Sequence, residues 1–141
     1  MERKVKVMQI DFTTKQFRRL LDLVYIGNWV LNSARGEDRI ADFDKVESYV
    51  FSQCPRFDMA PLCQVSEEGV LPSVAFSEGG IHEAIMDYED TVFFEIFADE
   101  LARRDNADGL LSEEELLELK QKYLKEFELN GITNVSVDAI L

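Results

Sequence analysis

The run from Thr13 to Ser33, TTKQFRRLLDLVYIGNWVLNS, limits what this chain can become more than any other stretch. Thr13 stands three residues before Gln16, the spacing of a capping box, and Phe12 and Phe17 occupy the positions of a hydrophobic staple. Past that first turn the polar residues nearly vanish. Leu20, Leu21, Leu23, Val24, Ile26, Trp29, Val30 and Leu31 cover most of the circumference, which predicts a helix enclosed by protein. Asp22 and Asn28 interrupt the run, and it falls short of the ~20 apolar residues of a membrane span. Gly27 inside a good helix costs ~1 kcal/mol relative to alanine, which predicts a close crossing by another element. Asn28 needs hydrogen-bond partners if it faces inward. Trp29, the only tryptophan, is expected in the core.

The other elements follow in order. Arg3 to Phe12 reads as a strand, with a phase change near Val7 and Met8. Ile40, Phe43, Val46, Val50 and Cys54 recur at spacings of three and four, predicting a helix over 39–54 that Pro55 stops. Over 56–80 prolines and glycines break the pattern, and a long packed loop is expected with one short helix near 59–64. Residues 81–88 and 91–104 read as two helices with Asp90 capping the second. Phe93, Phe94, Phe97, Ala98 and Leu101 would form the buried face of that second helix. Ser112 and Glu115 form a second capping box, ahead of the stripe Leu119, Tyr123, Leu124 and Phe127 and the stop at Asn130-Gly131. Val135, Val137 and Ala139 alternate as a last strand. Two lone strands at opposite ends of one chain are unstable apart, so pairing is the economical solution. The fold class expected is α+β, a mostly helical single domain of four to five helices whose small two-stranded sheet joins the N- and C-terminal strands.

A chain of 141 residues fits one domain and can bury ~68–70% of its unfolded surface without metal or disulfide. Cys54 and Cys63 form neither a CxxC motif nor a disulfide framework, and Met1-Glu2-Arg3-Lys4 leads into no apolar leader. Both point to the cytoplasm. The net charge of −13 argues against nucleic acid and against an anionic membrane as ligands.

The run Leu23-Val24-Tyr25-Ile26-Gly27-Asn28-Trp29, with Leu101-Ala102-Arg103-Arg104-Asp105 after it, resembles a family of small acidic bacterial proteins of unknown function. The likeness extends over most of the chain. It implies a bacterial cytoplasmic origin and brings no activity, cofactor or site residue with it.

The charge is concentrated. Residues 66–118 hold sixteen acids against only Arg103 and Arg104, while the flanking segments are close to neutral. Such a surface suits a basic protein partner, with Glu95, Asp99 and Glu113 as its candidate docking residues. A solvated, solubilising helix face explains the same letters. Within the segment, Arg104 to Glu115 resembles an EF-hand loop, with Asn106, Asp108 and Glu115 at ligand positions and Gly109 at the turn. Arg104 stands where the first carboxylate should be, and Asp-Gly with a following cap accounts for the loop without any ion. His82, the only histidine, has Glu83 and Asp87 near it but forms neither HExxH nor the repeated Glu-x-x-His of di-iron bundles.

The sequence therefore points to a non-catalytic binding or regulatory protein with a basic partner and no cofactor. The alternative is a small enzyme or cation-binding protein that uses carboxylates of 82–115. Monomer and homodimer remain equally open.

Overall fold

The capping box at Thr13 forms. Its Oγ1 accepts the Gln16 N–H at 3.2 Å, and the Gln16 side chain accepts the Thr13 N–H at 3.0 Å. The structure, a computed structural model, describes residues 3–138. In chain order it contains α1 (Thr14–Asn32), α2 (Ala41–Phe51), β1 (Cys63–Ser66), β2 (Gly69–Pro72), the single turn α3 (Val74–Phe76), α4 (His82–Asp105) and α5 (Glu113–Asn130). Helix makes up 64% of it beside one small antiparallel sheet, so the chain is a mostly helical α+β protein. It gathers into two compact units, the first ending at Glu83 and the second beginning at Ala84.

In the first unit α1 packs against α2 around Phe17, Leu21, Phe51, Cys54, Phe76 and Ile81. Its buried line is Phe17, Leu21, Asn28 and Asn32, at spacings of four and seven that keep to one helix face. The expectation of a helix enclosed on all sides is overturned. Leu23 is 69% exposed and Val30 68%, and Trp29 is half-buried, because α2, the hairpin and the turns around Phe76 cover only one stripe. Gly27 is corrected too. A Cβ there would meet nothing within 4 Å, so close packing is not the reason for the glycine.

Polar side chains fix how α2 follows α1. The Asn32 carboxamide pairs with the Ile40 backbone in both directions, donating to its carbonyl at 3.0 Å and accepting its N–H at 2.8 Å. Ile40 is the N-cap of α2 and offers no capping side chain. Asn32 therefore holds the chain where the second helix begins.

The sheet lies where the loop was expected. β1 and β2 form a hairpin in register Cys63↔Pro72 and Val65↔Val70, with Glu67-Glu68 at its tip. Gly69 has φ +118°, and a Cβ there would come within 2.8 Å of Ser48 Oγ, so the position requires glycine. The same Ser48 Oγ accepts the Val70 N–H at 3.0 Å and ties the hairpin to α2. The terminal strands of the sequence reading do not pair. Residues 3–13 and 135–138 belong to no strand, and Ala139 lies outside the described residues. A hairpin closes a loop of a few residues, whereas pairing the termini closes nearly the whole chain at greater entropic cost.

In the second unit α4 runs unbroken through Asp90, where the sequence suggested a junction. Thr91 Oγ1 bonds back to the Asp87 carbonyl at 2.9 Å, within the helix. The break comes earlier, at Gly79 and Gly80, where Gly80 takes φ +106°. α5 opens with the Ser112–Glu115 capping box and ends at Gly131. It lies against α4 through stacked Phe97 and Phe127, centroids 5.1 Å apart, with Phe94 beside them at 5.5 Å from Phe127. Ala98 and Ala102 are fully buried, and their small side chains let a helix approach.

Three substitutions check this packing. Gly27→Ala should stabilise the protein by ~0.5–1 kcal/mol in urea unfolding, since it improves helix propensity and collides with nothing. Phe51→Ala should cost ~3–5 kcal/mol and Leu23→Ala less than ~0.5 kcal/mol. Equal losses for Phe51 and Leu23 would refute the one-sided burial of α1.

Candidate functional site

The open surface of the second unit is built from two helix ridges. Val92, Ile96 and Asp99 share one ridge of α4 at spacings of four and three. Leu117, Lys120 and Leu124 share one ridge of α5 at three and four. Lys120 Nζ lies 3.7 Å from Asp99 Oδ1, so one side chain of each ridge reaches the other. Val92 and Leu124 are half-buried there, while Ile96 is 56% exposed and Leu117 58%. α4 is thus apolar on two faces. Phe94 and Phe97 meet Phe127 of α5, with Phe93 beside them, while Val92 and Ile96 lie on a second apolar side.

The three candidate docking acids border this surface on helical spacing. Glu95 is one turn from Asp99, and Glu113 is one turn from Leu117. They differ in charge state of their surroundings. Asp99 is paired with Arg103 at 2.9 Å as well as with Lys120. Glu95 and Glu113 are exposed and form no ion pair among the described residues. Both arginines of the acidic segment bond to neighbours, Arg103 to Asp99 and Glu100 and Arg104 to Asp105. The apolar members, Ile96 and Leu117, escaped the sequence reading, which assigned α4 a single buried face.

In the loop between the helices, each candidate metal ligand bonds to local backbone through one side-chain oxygen. Asn106 Oδ1 accepts the Leu111 N–H at 3.0 Å, Asp108 Oδ1 the Leu110 N–H at 3.2 Å, and Glu115 Oε2 the Ser112 N–H at 2.8 Å. The Ser112 backbone bond holds the Glu115 carboxyl below its ordinary range. Arg104 pairs with Asp105, which also accepts from the Tyr123 hydroxyl. Among the described residues no group of three or more His, Cys, Asp or Glu side chains is placed to hold a metal ion.

The first unit holds a second cluster, where α1 meets α2. The Tyr25 hydroxyl and His82 Nε2 are 2.6 Å apart, and the His82 ring stands edge-on to Trp29 at 4.8 Å. Asn28 donates to Asp44 Oδ1 at 3.0 Å and accepts from Asn32 at 2.7 Å. Arg39 clasps Asp44 at two points, both 2.7 Å, and this bond, ahead of the Asn28 amide, lowers the Asp44 carboxyl. Glu47, one turn along α2, goes the other way, because burial raises its carboxyl against the pull of Asn28. Burial and then the charge of Glu47 raise the Tyr25 phenol. Asn28 and His82 stood out in the sequence. Tyr25, Arg39, Asp44 and Glu47 did not, since their meeting depends on how α2 crosses α1. Of the thiols, Cys54 is pushed up to about 11 by burial and by neighbouring Cys63, which keeps it protonated at neutral pH.

Compared with family models, with curated proteins and with solved structures, the chain matches none, so the functional argument rests on its own residues.

Two outcomes follow from this chemistry. Calcium should raise the melting temperature no more than magnesium does, because the loop oxygens already hold backbone N–H groups. A calcium-selective rise abolished by Glu115→Gln would overturn that. A carboxyl raised in the folded state stabilises it below its ordinary value and loses that contribution as pH climbs through the raised value. Glu47→Gln should therefore melt higher than the natural protein near pH 7, with the difference vanishing at about pH 3. A pH-independent difference would place its origin elsewhere.

Proposed function

We propose that the chain is a protein-docking module whose α4–α5 hairpin receives a basic amphipathic helix from a partner. The observation that carries this reading is the exposure of Ile96 and Leu117, on ridges shared with half-buried Val92 and Leu124, with the exposed carboxylates of Glu95 and Glu113 on the same helices. Contiguous exposed apolar surface with a polar rim marks interaction sites. A helix laid along the two ridges would bury its own apolar face there and bring lysines or arginines to the rim, the helix-in-groove mode of recognition. Charge would speed the encounter and select the partner, while the apolar contacts would set its lifetime. The setting proposed is the cytoplasm, in keeping with Cys54 and Cys63 as free thiols. No helix among the described residues is long and apolar enough to cross a membrane.

The test uses a synthetic helical peptide with leucines on one face and lysines on the other, titrated by calorimetry. Ile96→Ser with Leu117→Ser should weaken binding at least tenfold, or about 1.4 kcal/mol. Glu95→Gln, Asp99→Asn and Glu113→Gln together should mainly slow association and flatten its salt dependence. Unchanged affinity in the serine variant would remove the hairpin as the docking face. Concentration-dependent dimerisation abolished by the same serines would replace the partner with a second copy of the chain.

A further inference from the structure

The first unit carries a separate cleft of about 290 Å³, lined by Tyr25, Asn28, Trp29, Ser33, Arg39 and Glu47. Its one cationic side chain is already neutralised, since both Arg39 contacts at 2.7 Å go to Asp44 and the Asn28 amide reinforces the pair from the other side. Glu47 is left as a half-buried carboxylate with no basic side chain within ion-pair distance among the described residues. Burying an unpaired carboxylate is unfavourable, and a cation from outside relieves the penalty. The same wall carries two aromatic rings. Tyr25 and Trp29 lie nearly parallel, 21° apart with centroids 6.3 Å distant, and His82 braces both of them edge-on.

We propose that this cleft binds the ammonium head of a small organic amine, with Glu47 as its counter-charge and Trp29 and Tyr25 as its aromatic wall. Aromatic faces attract cations through their quadrupole, most strongly in tryptophan and when solvent is excluded. A metal ion fits poorly, because calcium takes six to eight oxygen ligands and Glu47 is the only uncommitted carboxylate in the lining. An anion is repelled by that same carboxylate. The volume lies at the small end of ligand pockets, about 300–1,000 Å³, which limits the head group to a few carbon atoms. Because the bond between Tyr25 and His82 holds the rings in place, little ordering cost remains for the ligand.

Trp29 is the only tryptophan, so its emission reports on the cleft directly. The protein is titrated at constant ionic strength with choline, with butylammonium, and with dimethylbutanol, the neutral carbon isostere of choline. Choline and butylammonium should shift the emission saturably, with dimethylbutanol at least tenfold weaker. Glu47→Gln, whose fold is checked by circular dichroism, should weaken both cations at least tenfold and leave dimethylbutanol unchanged. Equal binding of choline and its neutral isostere to the natural protein would overturn the proposal, whatever the variant does. So would full retention of choline affinity in Glu47→Gln, or no saturable shift with either cation.

Discussion

The fully buried carboxamide of Asn32 is the contact on which the first unit depends. It pairs with the Ile40 backbone as one strand pairs with its neighbour, and so fixes the angle at which the chain leaves α1 and begins α2. Asn28, a turn earlier, extends the network through Asp44 to Arg39. A buried amide without partners is costly, so these bonds admit few alternative arrangements of the two helices. Leucines at positions 28 and 32 would bury more apolar area but would accept many register shifts. The polar network specifies one of them, and the chemistry gathered around Glu47 depends on that choice.

The second constraint is size. Each unit has too few elements to cover both sides of its longest helix. α1 buries Phe17 and Leu21 but leaves Leu23 and Val30 in solvent, and α4 buries Ala98 and Ala102 but leaves Phe93 and Ile96 exposed. Scattered exposed apolar residues are ordinary on proteins. Ile96 and Leu117 stand on the helix ridges that also carry the bridged Asp99 and Lys120, and both remain more than half exposed. With the carboxylates of Glu95 and Glu113 nearby, these exposed side chains would suit the basic amphipathic helix proposed as their partner.

What could be read in advance follows the range of the interaction. Both capping boxes, at Thr13 and at Ser112, involve residues three apart and formed as the spacing suggested. The mostly helical α+β class was likewise legible, because periodicity is a local property. Long-range pairing was not. Val5, Val7, Val135 and Val137 alternate as strands should, yet the hairpin formed at Cys63–Pro72, where the Glu67-Glu68 tip and Gly69 make closure short. Enclosure of α1 was overestimated because an apolar circumference records what a helix can bury, not how many neighbours exist to bury it. The docking acids were chosen by charge alone, and charge does not reveal the apolar ridges between them. The cluster of Tyr25, Arg39, Asp44, Glu47 and His82 has no sequence signature at all, since its members meet only through tertiary packing.

Asp44 and Glu47 show how much that packing decides. They are the same kind of group, one helical turn apart on α2, and their carboxyls shift in opposite directions. Burial dominates at Glu47, whereas the bond from Arg39 dominates at Asp44. Arg39 reaches Asp44 with two nitrogens of its guanidinium and favours the ionised form there, while at Glu47 burial outweighs the weaker pull of Asn28 and Arg39. The Asp44 contribution to stability is present above the ordinary carboxylate value and lost as pH falls through its lowered one, whereas Glu47 weakens the fold as pH rises through its raised one. A half-buried carboxylate outside any ion pair among the described residues, beside two aromatic rings and a cleft, suits the counter-charge role proposed for it. Were stability the only demand on this position, a glutamine would serve better.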